Sequence, residues 1–198
     1  MFLSERIAVV ITMLLLTSLC DSTVALAASG SNFVVEPDGY RLSDYDDRVP
    51  DTIAGGVRVN AEEARQLQLN SFALIVDVIP EHRKPDSLPE GQLWFPVAHK
   101  GIQNALWLPD VGYGALSETT ELYFIRHLIE ATNGKQDHPL VFYCRIDCWM
   151  SWNAAKRAIS LGYSKVYWLA DGLEDWEFEG FPTQILTPAT GERHAPRE

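Results

Sequence analysis

From residue 60 onward the chain switches between short, continuous apolar runs and longer stretches of helical period. Asn60 precedes AEEARQLQL with Glu63 three residues on, a capping-box arrangement that predicts a helix start. FALIVDVI (72–79) is apolar throughout except at Asp77, the pattern of a strand covered on both faces. NALWLP (104–109) predicts a short strand. Ser117 stands before ETTELYFIRHLIEAT, a helix whose apolar face is read as Leu122, Ile125, Leu128 and Ile129, with Gly134 ending it. PLVFYC is a third buried strand and SWNAAKRAISLG the helix after it, opened by Ser151. KVYWL is a fourth strand, and DGLEDWEFEG a short last helix. Strands alternating with helices predict an α/β layered domain with a mostly parallel sheet flanked by helices.

Two segments ahead of this block follow other rules. Residues 1–27 carry Arg6 in a short leading region, an apolar run from Ile7 to Leu19, and the small-x-small site Ala25-Leu26-Ala27. That layout predicts a cleavable secretory signal and hence a periplasmic protein, not membrane-bound once cleaved. The apolar run of about 13 residues falls short of the roughly 20 needed to span a bilayer. Lipid attachment at Cys20 is disfavoured by the bulk of Leu19. Residues 28–56 lack sustained periodicity and are read as an extended arm, which Phe33, Tyr40, Leu42 and Tyr45 could pin to a domain surface. The domain proper is expected over 57–187, with 188–198 a frayed, flexible tail. KPDSLPEGQLWFPVAHKG is read as a loop.

Charge narrows the functions. The 198-residue chain has a formal charge of −11, and removing residues 1–27 leaves −10. Such an acidic domain repels phosphate backbones, which argues against nucleic acid as a partner. An acidic arm could instead dock a positively charged partner. The same removal leaves two of three cysteines, Cys144 and Cys148, in a compartment that permits disulfides.

Both thiols fall in the surface loop between the third strand and its helix. Ligands of parallel sheets bind beyond the carboxyl ends of the strands, and free N–H groups at a helix start stabilise an anion. Cys144 is therefore expected to have a depressed pKa, helped by Arg145, and to be the nucleophile. Four chemistries are open to the pair: a persulfide carrier, a redox dithiol, a soft-metal site and a structural disulfide. Two thiolates suit Cu(I) or Zn(II), but a closed zinc site takes four ligands. The nearest histidine outside the leader, His138, sits at the far end of the strand, so no metal is expected. A disulfide across three residues closes too small a ring to stabilise much by chain entropy. Trp149 and Trp152 could wall a pocket, whereas Trp94, Trp107, Trp168 and Trp176 are expected in the core.

The ordered set of motifs resembles the rhodanese-like domain. YC, a loop, then SWNAAKRAISLGYSKVYWLADGLEDWEFEGFP is similar to that family's active-site half. ALIVDVI and GIQNALWLP are similar to its first half, so the resemblance spans roughly 57–183. It implies a three-layer α/β fold, with Cys144 as the sulfur-accepting cysteine and Arg145 as the Arg that often follows it. Asp77 falls on a structural, loop-orienting position, and Gly172 and Trp176 on packing positions. CWMSWNAAKRA further resembles the exported PQQ-dependent catabolism-associated CXXCW motif proteins. This implies a role beside periplasmic quinoprotein alcohol oxidation, PQQ (pyrroloquinoline quinone) being tied to it by pathway only and no cofactor being bound.

The loop departs from the pattern. With Ser151 opening the helix, Cys144 to Met150 is seven residues, against six in ordinary sulfurtransferase loops. It ends in Trp149-Met150 without the oxyanion-gripping Arg of the family's phosphatases. Three residues (Arg145, Ile146, Asp147) separate the cysteines where the CXXCW label has two. The expected site is Cys144 and Cys148, with Arg145, Ile146, Asp147, Trp149, Met150 and Ser151 shaping the substrate loop. Cys148 resolves or protects a persulfide on Cys144, or the pair cycles as a redox dithiol. Substrates are then sulfane-sulfur or thiol small molecules. The alternative is a silent binding module for a quinoprotein dehydrogenase or cytochrome c.

Overall fold

A buried run can become a central strand only if both its faces are covered, and the third strand shows this most fully. In the computed structural model, which describes residues 34–85 and 87–194, every residue of Leu140–Tyr143 is buried. In chain order the elements are β1 (Val57–Val59), α1 (Ala61–Asn70), β2 (Leu74–Asp77), β3 (His99–Ile102) and β4 (Leu106–Trp107). There follow α2 (Glu118–Thr132), β5 (Leu140–Tyr143), α3 (Trp149–Ser160), β6 (Val166–Leu169), α4 (Gly172–Phe178) and β7 (Thr183–Leu186). Five strands form a parallel sheet in the order β1-β6-β5-β2-β4, flanked by the four helices. A separate antiparallel pair joins β3 to β7.

The registers Asp77↔Tyr143↔Leu169 align the carboxyl ends of β2, β5 and β6 in one row, the edge on which the cysteine loop sits. The capping box at Asn60–Glu63 is present with both reciprocal hydrogen bonds. Ser117 caps α2 by accepting the Thr120 N–H, and Asn133, left-handed at φ 52°, ends it just before Gly134.

Four expectations need correction. The inward face of α2 is Thr120, Tyr123, Phe124, Leu128 and Thr132, while Leu122 and Ile129 are exposed. Phe124 meets Phe142 of β5, and choosing that aromatic contact rotates the helix away from the aliphatic reading. Strands β1, β3 and β7 had no local signal, because HKGI and TQIL become strands only through pairing with each other and VRV only through pairing with β6. Helix α3 begins at Trp149 with Cys148 as N-cap, so Ser151 lies inside it. Its hydroxyl donates to the Cys148 carbonyl and accepts from the Trp168 indole at 2.9 Å, a buried tie between α3 and β6. Finally, the tail is tied down through His194. Ala189 N–H donates to the Trp107 carbonyl, and Arg193 pairs with Glu81 and the buried Asp110.

Residues 34–56 form no helix or strand, yet they lie along α3. Asn153, fully buried, donates to the Arg41 carbonyl and accepts the Arg41 N–H, and its amide also reaches the Gly112 carbonyl. Lys156 donates to the Pro37 carbonyl and the Trp152 indole to that of Thr52. Val49 and Ile53 are buried beneath it. Covered by the sheet on one side and the arm on the other, α3 is buried over most of its surface, polar Ser151, Asn153 and Arg157 included. Of the proposed anchors, Tyr45 and Tyr40 serve, through an edge contact with Tyr113 and through the Arg157 guanidinium over the Tyr40 ring. Leu42 is exposed, and Phe33, like the signal segment, lies outside the described residues.

Candidate active site

Strand β5 delivers Cys144 to the sheet edge, and α4 fixes its backbone there. The Leu173 N–H donates to the Cys144 carbonyl at 3.0 Å. Gly172, at φ +67°, presses against the same peptide: a Cβ there would stand 2.7 Å from the Cys144 oxygen and 2.5 Å from the Arg145 carbonyl carbon. Only glycine fits both the angle and the space. The loop then turns sharply. Ile146 N–H donates to the Glu174 carboxylate at 2.9 Å, and Asp147 adopts a left-handed φ of 52° that brings Cys148 back toward Cys144. Arg145, Ile146 and Asp147 are exposed.

The arm closes the other side. Asp46 and Cys148 form an antiparallel β-bridge, and the Trp149 N–H donates to the Tyr45 carbonyl at 2.9 Å. Trp149 and Trp152 are buried against each other at 5.4 Å and do not wall the cavity. Trp107, Trp168 and Trp176 are core residues and Trp94 is half-buried. Met150, at the first turn of α3, does line the cavity, a space of about 860 Å³ bounded also by Tyr45, Asp46, Ile79 and Tyr113. Both cysteines and Arg145 open onto it.

The two sulfurs are free thiols in hydrogen-bonding contact, and they are buried, not exposed as expected of a surface loop. Burial, followed by the hydrogen bond to Cys148 and the repulsion from a thiolate there, pushes the Cys144 thiol well up. The hydrogen bond from Cys144 holds Cys148 below the ordinary thiol value; burial opposes it, while the Met150 and Arg145 N–H groups assist. This reverses the expected order. The helix starts two residues earlier than Ser151, so Cys148, not Cys144, is its N-cap residue and stands at the positive end of the helix dipole. Of the two thiols, Cys148 is the more readily ionised.

Asp77 is fully buried and accepts three hydrogen bonds, from the Ile79 N–H, the Tyr143 hydroxyl and His99 Nε2 at 2.8 Å. It therefore orients the turn at Ile79 that borders the cavity. Asp46 and His99 escaped the sequence reading, while Tyr45 was read only as an anchor of the arm and Tyr143 only as part of the YC motif. Neither Asp46 nor His99 stands in a recognisable spacing to the cysteines. Among the described residues, no group of three or more His, Cys, Asp or Glu side chains is placed to hold a metal ion.

A family model described as Rhodanese-like domain matches residues 60–179. The chain belongs to the rhodanese-like domain family. The matched span holds the whole cysteine loop and excludes the arm that covers it. Among solved structures the chain is similar to the 30 kDa polysulfide-sulfur transferase homodimer from Wolinella succinogenes, with 20% identity over 66% of this chain and 80% of that one, at a TM-score of 0.41. It is also similar to the Alr3790 protein from Anabaena sp.: 19% identity over 65% and 92% of the two chains, TM-score 0.41. The rhodanese-like domain of that protein in solution gives 17% identity over 71% and 91%, TM-score 0.41. Comparison with curated protein sequences finds no matching relative.

Proposed function

We propose that this rhodanese-like domain carries out thiol chemistry, sulfane-sulfur transfer or dithiol–disulfide cycling, with Cys148 as attacking thiolate and Cys144 as its partner. The observation that carries the reading is the pair of free cysteines at the carboxyl edge of the sheet, both opening onto one cavity. In sulfur transfer the Cys148 thiolate attacks the outer sulfur of a donor R–S–SH. A sulfur–sulfur bond forms, R–S⁻ leaves, and an acceptor thiolate later removes the sulfane sulfur and restores Cys148. In redox cycling Cys148 attacks a disulfide, and Cys144 displaces the mixed disulfide to close Cys144–Cys148.

The low exposure of both cysteines, 1% and 2%, beneath the arm favours a second reading, a silent binding module. Mass spectrometry after incubation with a sulfane donor or an oxidised disulfide decides between them. A persulfide or a Cys144–Cys148 disulfide supports the chemistry; thiols that stay unmodified at every pH support the module.

The pattern of residues 1–27 supports export to the periplasm, and the CWMSWNAAKRA resemblance supports service to quinoprotein alcohol oxidation with a dehydrogenase or cytochrome c partner. A mature chain beginning at Ala28 in a periplasmic fraction checks the first point. Slowed growth of a deletion strain on alcohols alone checks the second.

A further inference from the structure

A second cavity, of about 760 Å³, adjoins the cysteine cavity: Ile79, Pro80 and Arg145 border both. It is lined by flat rings. His99 lies on Trp107 with centroids 3.9 Å apart, and His82 stacks on the half-buried Trp94 at 6.3 Å. Pro96 and Pro188 extend the same surface.

Two polar groups in it are uncommitted. His99 is held by the buried Asp77 through Nε2, and the carboxylate, already accepting from Tyr143 and Ile79, takes the Nε2 proton as one more donor. That bond places a proton on Nε2 and leaves Nδ1 with no hydrogen-bond partner among the described residues. Arg145 is exposed and forms no ion pair among the described residues. The other charges are engaged: Lys100 with Glu177 at 2.7 Å, Glu81 with Arg193, and Glu174 with the Ile146 N–H.

We propose that this second cavity binds the non-sulfur part of the substrate, a flat aromatic ring bearing an anionic substituent. The ring lies against Trp94 and the His99 ring that stacks on Trp107, the anion meets Arg145, and a polar group on the ring hydrogen-bonds with His99 Nδ1. The inference rests on the reading of the cysteine pair, because Arg145 stands between the two cavities and a ring held there directs its sulfur toward Cys148. It adds a substrate class to that reading. A small aliphatic sulfur compound would leave the aromatic cavity unused.

The test compares three disulfides in their exchange with the full chain. 5,5′-Dithiobis(2-nitrobenzoate) is aromatic and anionic, 4,4′-dithiodipyridine is aromatic without a carboxylate, and 2-hydroxyethyl disulfide is neither. In each case the Cys148 thiolate forms a bond to one sulfur and the other half leaves as a thiolate. The readout is the rate of each variant relative to wild type, so differences in intrinsic reactivity cancel. Trp94→Ala should slow both aromatic reagents several-fold and leave 2-hydroxyethyl disulfide unchanged. Arg145→Gln should slow the carboxylate reagent about tenfold more than the pyridyl one, the scale of one charge-assisted hydrogen bond. Equal ratios for all three reagents would overturn the subsite. Quenching of tryptophan fluorescence by 2-naphthoate, which has no sulfur, separates the two claims. Saturable quenching weakened in Trp94→Ala keeps the cavity even if the thiols prove inert, and no quenching removes it even if they react.

Discussion

The arm ahead of β1 and the tail behind β7 look alike as sequence: neither has a period, and both fall outside the span matched to the family. In the fold they do different work. The arm is fastened by backbone and side-chain hydrogen bonds to α3 and roofs the two thiols. The tail is fastened largely by charge and hydroxyl contacts to α2 and to Asp110, with no residue of it lining the cysteine cavity. An irregular segment can thus be part of a site or only part of a scaffold. What decides is where its buried polar groups find partners.

The largest effect that would sharpen this contrast comes from Asn153→Ala. It removes three hydrogen bonds and strands the Arg41 N–H and carbonyl under the arm, so denaturant unfolding should show a loss of about 3 kcal/mol. Alkylation of Cys148 should also become faster as the arm loosens. Gly114→Ala tests the same point by another route, since a Cβ there would stand 2.0 Å from the Arg41 oxygen. An unchanged alkylation rate in both variants would mean that the arm does not cover the thiols.

Arg193→Ala is the matching change in the tail. It leaves Arg83 as the remaining cation on Asp110 and should cost about 2 kcal/mol, with thiol reactivity unaltered. If alkylation accelerated here as well, the two segments would be one cooperative unit and the contrast would fail.

A smaller, more specific effect concerns the thiols. The pH profile of alkylation should show its first titration below the ordinary thiol value of 9.0, mapped to Cys148 by peptide analysis. Cys144→Ala removes the hydrogen bond that holds Cys148 down, so that titration should move up. A first titration that maps to Cys144 would restore the expected order and undo the account of the helix start.

The slightest effect belongs to Asp110. Burial raises its carboxyl pKa, with Arg83 and Arg193 opposing. The folded chain thus keeps this proton to a higher pH than the unfolded chain, which releases it near about 3.9. Its contribution to stability is therefore full below that value and lost as pH rises through the folded pKa. Melting curves across that window should show the decline in wild type and a flatter profile in Asp110→Asn.

Legibility followed the range of the interactions. The capping box at Asn60, the Ser117 cap, the helix stop at Gly134 and the buried runs of β2, β5 and β6 were readable because their causes lie within a few residues of each other. Ser151 misled for the same reason. A serine ahead of an alanine-rich run is a helix-start signal locally, but here the Trp168 indole and the Cys148 carbonyl use the hydroxyl inside the helix. The face of α2 was misjudged because aliphatic spacing was preferred to the pair Tyr123 and Phe124, and only β5 shows which of the two the core accepts.

By itself, then, the sequence determined the α/β class, the order of most elements, and the placing of Cys144 and Cys148 between β5 and α3. Periodicity and caps act over one or two helical turns, so those features do not wait for the rest of the chain. Only the tertiary structure decided which thiol ionises more readily, that both are roofed by the arm, and that Asp77 holds His99 over a second cavity. Each of these depends on contacts between residues far apart in the chain, as Asp46 is from Cys148 and Asp77 from His99 and Tyr143. A thiol's pKa is set by the donors and the burial that such contacts create, and neither is written in its sequence neighbours.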